Sequence, residues 1–274
     1  MEKTNSAEIQ ELTCKTISDF GEQWNHFTDN TGYYGSTELL LDILGPSVKA
    51  SDLKGAKVAD IGSGTGRIVN MLIGAGVSHV TAVEPSDAYE VMLQNTKSHA
   101  DRITFIKKPG EFLPTDPKQD FVISLGVIHH IPDPTPVLLA AKSALKDNGR
   151  LIIWLYGHEG NELYLAVAGI LRTVTKRMPH KLLVPFSKLL AGLMAFYGQY
   201  CKVFRFLPMT KYFLGHYNLL TFPNKVLTIY DQLNPAYAKY YRKQEAIDLV
   251  KSLGFRDIEL FHRHGYSWTV SAKK

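Results

Sequence analysis

The sequence predicts a doubly wound α/β fold, and three observations predict it. Between residues 54 and 157 short β-branched runs alternate with longer stretches of helical spacing, the rhythm of βα units that build a parallel sheet. The first run, Lys57-Val58-Ala59-Asp60-Ile61, leads directly into a glycine-rich turn and then a helical stretch. Near the C-terminus a helical pattern is followed by two strand-like runs around a short segment, which reads as an antiparallel hairpin.

In order, residues 57–61 read as the first strand and 67–74 as its helix. Residues 77–84 give a second strand, 87–99 a helix and 103–107 a third strand. A fourth strand at 121–125 is introduced by Asp120, a helix runs from 134 to 145, and Gly149 supplies the turn before a fifth strand at 150–156. Residues 243–253 carry Ala246, Ile247, Leu249, Val250 and Leu253 at helical spacing and stop at Gly254, which takes a left-handed cap readily. Residues 257–261 and 266–270 then flank the hairpin segment 262–265. Four units are expected: an N-terminal helical lid at 1–54, a cofactor-binding core at 55–160, a helical cap inserted at 161–242, and a helix and hairpin at 243–274 that complete the core.

The composition narrows the class. With 274 residues, 45% of them hydrophobic and 21% charged, the chain can fill a sizeable core, which excludes disorder and collagen-like repeats. Cys14 and Cys201 alone cannot make a disulfide framework. Residues 1–10 are too polar for a secretory signal, so a cytoplasmic location is expected. The longest apolar runs, 163–171 and 189–197, fall short of the roughly 18–20 residues that span a bilayer, so no transmembrane helix is expected.

The glycine-rich stretch is Asp60-Ile61-Gly62-Ser63-Gly64-Thr65-Gly66-Arg67. Glycines let a backbone approach a ligand, and a helix N-terminus offers free N–H groups to an anion. Three companions add weight. Glu84 ends the second strand, where a carboxylate can accept from both hydroxyls of a ribose. Gly110-Glu111-Phe112 follows the third strand, and Ser124-Leu125-Gly126-Val127-Ile128-His129-His130-Ile131-Pro132-Asp133 follows the fourth.

On these residues the sequence resembles the class I S-adenosylmethionine-dependent methyltransferases, of the small-molecule, type 11 branch, over roughly residues 55–157. The resemblance implies a seven-stranded sheet with an antiparallel last strand and S-adenosylmethionine as cofactor. It places Gly62, Ser63, Gly64, Thr65 and Gly66 around the methionine end, Asp60 near the amino group, Glu84 on the ribose, Gly110 and Glu111 by the adenine, and Ser124 and Gly126 at the strand-four lip. In the third motif Pro109-Gly110 replaces the usual Asp-Ala pair, so Glu111 would have to reach the adenine amino group. The ligand's chemistry agrees: it carries no phosphate, and no phosphate-binding lysine follows Gly66.

Methyl transfer from a sulfonium disperses a positive charge, so alignment and proximity should supply most of the acceleration. A base is needed when the acceptor must lose a proton, and His129 and His130 are the candidates because imidazole titrates near neutral pH. Their alternative role is to cap or pack the loop. No metal is expected, since no His pair has helical zinc-site spacing and the cysteines are remote. His262 and His264 read as surface histidines. For the acceptor, Tyr33, Tyr34, Tyr156, His158, Glu159 and Asn161 are candidates.

The expected partner is a small-molecule acceptor and not a nucleic acid, because the Asn/Asp-Pro-Pro-aromatic segment of exocyclic-amine methyltransferases is missing after the fourth strand and no cysteine nucleophile lies there. Methylation of a lipid, quinone or lipid-linked sugar at a membrane surface is the alternative, with peripheral membrane contact through the cap; a non-catalytic binding scaffold would carry a damaged turn, and this turn is intact. Within residues 161–242, Phe186, Leu189, Leu190, Leu193, Met194 and Tyr197 predict an amphipathic helix whose small side, Ala191, Gly192 and Ala195, admits a second helix. Those 82 residues hold 11 Lys and Arg against two acids, Glu162 and Asp231, and 15 of the 30 aromatics. The net charge of +5 is therefore an acidic core under a basic, aromatic cap, which favours an anionic or partly apolar acceptor.

Overall fold

A computed structural model describes residues 6–162, 164–166, 169, 175, 178–234 and 236–274. Seven strands, β1 (Lys57–Ile61), β2 (His79–Val83), β3 (Ile103–Ile106), β4 (Gln119–Leu125), β5 (Leu145–Tyr156), β6 (Arg256–Arg263) and β7 (Ser267–Lys273), form one sheet in the order β3-β2-β1-β4-β5-β7-β6. β1 to β5 pair in parallel, and β7 inserts antiparallel between β5 and β6. The strand order reverses between β1 and β4, and the crevice at the strands' C-terminal ends there is where open α/β sheets bind ligands.

Helices cover both faces. In chain order they are α1 (Ser6–His26), α2 (Thr37–Leu44), α3 (Ala50–Leu53), α4 (Arg67–Gly74), α5 (Ala88–Thr96), α6 (Thr135–Ala144), α7 (His180–Val203), α8 (Thr210–Gly215), α9 (Phe222–Leu233) and α10 (Lys243–Lys251). One apolar layer joins α2, α4 and one sheet face through Leu40, Leu44, Leu72, Val58 and Ile123. The other joins α6 and α10 to the opposite face through Leu138, Ala141, Ala246, Val250 and Ile153. Strands buried on both faces read as near-continuous apolar runs, which is why β1 and β4 were legible. α2 starts where the Ser36 hydroxyl accepts from the Leu39 N–H at 3.1 Å.

Two expectations change. The fifth strand starts at Leu145, not 150: Leu145 pairs with Gln119 ahead of a register irregularity, and Asn148 takes a positive φ of 62° between the two paired stretches. In the cap, four residues of the apolar stripe predicted for α7, Phe186, Leu190, Met194 and Tyr197, pack on the cap clusters, and two do not. Leu189 and Leu193 are about 60% exposed, as are Leu182 and Phe196, while Leu183, Ser187, Ala191 and Cys201 are buried. α9 packs on α7 through Tyr230 and Leu233 against Leu183, Phe186 and Leu190, and Ala191 is met by Tyr217, whose hydroxyl donates to its carbonyl at 3.2 Å. As one continuous 24-residue helix, α7 also reaches the length and apolar composition of a membrane span, which the shorter run 189–197 did not. The run 163–171 lies mostly outside the described residues.

Candidate functional site

The turn after β1 is held from below and braced from the side. The N–H groups of Gly62 and Ser63 donate to the Val83 carbonyl, and the N–H of Gly64 donates to Glu84 Oε2 at 2.8 Å. Glu84 Oε1 accepts from the Ser86 N–H and hydroxyl. Gly62 has φ +76°, and a Cβ there would come within 2.4 Å of Val127, so this position takes neither a side chain nor an ordinary backbone conformation. Gly64 lies under Trp24 of α1, whose indole nitrogen stands 3.4 Å from where a Cβ would be. Asn30 ties the segment after α1 to the turn, donating to the Thr65 carbonyl and accepting from its hydroxyl.

Above the turn lies a cavity of about 450 Å³. Gly62, Ser63, Gly64, Thr65, Glu84, Gly110, Glu111 and Gly126 line it, Glu111 from an exposed position; Asp60, Gly66 and Ser124 are not in the lining. Ser124 instead donates to the Ile61 carbonyl, bracing β1 against β4. Asp60 is 1% exposed, its Oδ2 has no hydrogen-bond partner, and burial pushes its carboxyl up to about 7. A buried, unpartnered carboxylate beside a glycine turn fits a cationic group, and a carboxylate at the end of β2 fits a ribose. These residues therefore suit S-adenosylmethionine: Asp60 for the ammonium, Glu84 for the ribose hydroxyls.

The other half of the cavity is aromatic. Tyr34, Trp154, Tyr156, Tyr164, Tyr212, Tyr240 and Tyr266 line it together with His130 and His216. Tyr156 stacks on Tyr240, ring centroids 5.1 Å apart, and its hydroxyl donates to Asp231 Oδ2 at 2.7 Å. Burial, and then the Asp231 carboxylate, hold that phenol well above its ordinary range. Gln232, the next residue of α9, accepts from both the Tyr164 and Tyr240 hydroxyls. Arg263, almost fully buried, binds Asp42 and the Tyr266 hydroxyl. Burial and then Arg263 push the adjacent His216 down to about 3, so that imidazole is neutral.

The histidine pair separates. His130 lines the cavity with its Nδ1 2.8 Å from the Tyr237 carbonyl. His129 is fully buried outside the lining, its ring packed 3.8 Å from that of Tyr156, and burial, with His130 beside it, holds it well below the usual imidazole range. That position makes His129 a packing residue rather than a base: the loop after β4 turns it under Tyr156. Of the acceptor candidates, Tyr34, Tyr156 and Asn161 reach the cavity, whereas Tyr33, His158 and Glu159 do not. Tyr33 packs on the cap cluster around Tyr212 and Phe213. Glu159 is spent on the Lys243 N–H at the start of α10 and on the Trp268 indole, because the chain leaving β5 turns back onto the hairpin. Asn161 also holds backbone, donating to the Gly157 and Tyr266 carbonyls. His262 and His264 are half-buried, stacked on Trp268 and paired with Asp42.

The sequence reading missed Asp231, Gln232, Arg263, Tyr212, His216, Tyr240 and Tyr266, all supplied by the cap or the hairpin. One signal was available: Asp231 is one of only two acids among 82 basic-rich residues.

Residues 59–153 match the family model described as a methyltransferase domain. The chain carries a class I S-adenosylmethionine-dependent methyltransferase domain. The chain is 29% identical across 126 residues to a tRNA U34 carboxymethyltransferase of Alteromonas mediterranea, covering 43% of this chain and 38% of that protein. A protein of the same name from Chromohalobacter salexigens is 29% identical over 147 residues, 52% of this chain and 43% of its own length. The chain thus spans about two fifths of the curated relatives it matches. Among solved structures, the methyltransferase fold resembles the 1,6-didemethyltoxoflavin-N1-methyltransferase of Burkholderia thailandensis, with a TM-score of 0.56, 15% identity, and coverage of 100% of this chain and 93% of that one. It also resembles the pyocyanin biosynthetic protein PhzM, with a TM-score of 0.51, 13% identity, and coverage of 86% and 55%.

These relatives correct one expectation. A small-molecule acceptor with nucleic acid excluded does not stand, because the curated proteins that share the methyltransferase domain are named for tRNA. The reason is chemical: the absent Asn/Asp-Pro-Pro-aromatic segment argues only against methylation of exocyclic amines, and a uridine has none.

Proposed function

We propose that this chain is an enzyme that binds S-adenosylmethionine at the glycine turn and transfers its methyl group to a base of a tRNA reached through the aromatic half of the cavity. The observation that carries the reading is one continuous cavity with the glycine turn and Glu84 at one end, Asp60 buried behind that turn, and a tyrosine wall at the other. When bound, the cofactor supplies an electrophilic methyl group on a sulfonium. The chain's own contribution is alignment: Glu84 and the turn fix one partner, and stacked Tyr156 and Tyr240 suit a flat ring as the other. The relatives' names and the basic cap support a polyanionic acceptor, and such an acceptor agrees with the cytoplasmic location expected from the sequence. The His130 ring lines the cavity, which supports a role as base toward an acceptor that must lose a proton. The test is transfer of label from methyl-tritiated S-adenosylmethionine to total tRNA, with mass spectrometry of the digested nucleosides. Label in one nucleoside supports the reading; unlabelled tRNA, with a protein that binds the demethylated cofactor, overturns the acceptor.

A second reading rests on the outer side of α7. Leu182, Leu189, Leu193, Phe196 and Val203 are exposed along one stripe, and Lys181, Lys188, Lys202 and Arg205 accompany them with no acid between residues 181 and 206. An apolar stripe among basic residues suits an anionic membrane surface, where the acceptor would be a lipid or quinone. Co-sedimentation with phosphatidylcholine vesicles, with and without phosphatidylglycerol, separates the two. Absence of binding to either vesicle removes this reading.

A further inference from the structure

Asp231 stands where three separate parts of the chain meet. It lies on α9 in the cap, and one of its oxygens, Oδ2, accepts from Tyr156 on β5 at 2.7 Å. The other, Oδ1, accepts from Gln23 Nε2 on α1 at 2.8 Å, across 208 residues of sequence. Gln23 is fully buried, and one turn of α1 separates it from Asp19, whose carbonyl accepts from Asn234 Nδ2 at 3.2 Å. The Asn234 amide also reaches Gln23 Oε1, and the Ala236 N–H donates to Asp19 Oδ2. The same helix α1 lays Trp24, the neighbour of Gln23, over Gly64 of the turn. The polar network thus ties the end of α9 to the segment that roofs the cofactor half of the cavity, while Asp231 simultaneously fixes a phenol in the acceptor half.

A carboxylate accepts stronger hydrogen bonds than a neutral oxygen does. Two of them on one carboxylate, aimed at two different elements, link those elements: loosening either leaves a buried polar atom unmet, so the other is weakened as well. Of these two partners of Asp231, Tyr156 is the one whose ring lines the cavity, so anything that displaces its hydroxyl is felt at Gln23.

We propose that Asp231 is a positioning residue that couples the acceptor wall to the cofactor roof, so that α1 is held down over the turn through the hydrogen bond that Tyr156 makes. This rests on the assignment of the two cavity halves given above. Its consequence is that a change confined to the acceptor side alters how long the cofactor site stays closed.

Two measurements on the full chain test it, with Asp231→Asn, Gln23→Leu and the mild variant Tyr156→Phe. The first is amide hydrogen exchange of residues 6–26 without any ligand. Exchange about tenfold faster in α1 for all three variants, with β1–β4 unchanged, is expected; unchanged α1 exchange in Asp231→Asn and Tyr156→Phe overturns the proposal. The second is the dissociation rate of S-adenosylhomocysteine, followed by tryptophan fluorescence. Each single variant should release it about tenfold faster, and Gln23→Leu combined with Asp231→Asn should be no faster than either alone. Additive effects, or a Tyr156→Phe rate equal to wild type, would count against coupling. If the wild-type protein binds no S-adenosylhomocysteine, the cofactor assignment fails, and the ligand-free exchange experiment still decides whether Asp231 holds α1.

Discussion

The backbone N–H of Gly64 donates to Glu84 Oε2 at 2.8 Å, so the residue we propose to hold a ribose is also the brace of the glycine turn. The same carboxylate takes two further bonds from Ser86. Loss of Glu84 therefore costs binding twice, by removing an acceptor and by loosening the turn. Glu84→Ala should weaken S-adenosylhomocysteine binding by about 10–100-fold in calorimetry, matching the roughly 1.5–3 kcal/mol of hydrogen bonds to a charged group. Affinity equal to wild type would remove Glu84 from the site.

Asp60 makes cofactor binding depend on pH. Burial raises its carboxyl to about 7, and only the ionised form can hold an ammonium. Affinity for S-adenosylhomocysteine should therefore rise as pH climbs from about 5.5 to 7.5, by up to about tenfold per unit, with a proton released on binding. In the ligand-free protein the sign is the other way. The native state binds the proton more tightly than the unfolded chain, so Asp60 contributes stability at low pH that is lost as pH rises from the ordinary carboxyl range through about 7. Calorimetry in two buffers of different ionisation enthalpy measures the proton, and Asp60→Asn should abolish it.

His216 has the opposite sense. With its imidazole pushed down to about 3, the native state holds it neutral where the unfolded chain protonates it. Its contribution is fully present above about pH 6.5 and is lost as pH falls toward 3, at most about 1.4 kcal/mol per unit. Wild type should lose about 2 kcal/mol more than His216→Asn between pH 6.5 and 5, read from urea midpoints at each pH. Equal losses would show that the imidazole is protonated in the native state.

The two sides of α7 should respond differently to substitution. Ala191 has no exposure and its carbonyl takes the Tyr217 hydroxyl, so Ala191→Leu overfills the contact with Tyr217 and its surroundings and should cost about 1–3 kcal/mol. Leu193, two residues on and 59% exposed, should tolerate Gln within about 0.5 kcal/mol. Thermal unfolding of the two variants checks both. A larger loss in Leu193→Gln would mean that this stripe is covered in solution.

The parallel core was legible because its signals are local. Strands buried on both faces stay apolar throughout, and the turn after β1 spells its own backbone demands in Gly62 and Gly64. The acceptor half was not legible, because Tyr212, His216, Arg263 and Tyr266 converge from α8 and the hairpin, and nothing in their immediate sequence marks which side chains turn inward. Helical spacing predicted α7 and the packing of Phe186, Leu190, Met194 and Tyr197 but not the exposure of Leu189 and Leu193, since Leu and Ala can each line a helix contact and neighbour size decides. For His129 and His130, adjacency in sequence concealed opposite fates: one residue packs beneath Tyr156 and the next faces the cavity.

The place of β7 has a kinetic consequence. It is the last strand in chain order, yet it lies between β5 and β6, paired with β5 from Arg150↔Lys273 to Tyr156↔Ser267. During synthesis β5 must therefore wait, with one edge open, until about a hundred further residues have been made. An uncapped apolar strand edge is a template for pairing with other chains. Residues 161–242 emerge in that interval, and their 11 Lys and Arg against two acids offset the acidic excess of the stretch already made. The order of synthesis thus leaves β5 open to mispairing until the C-terminal hairpin arrives.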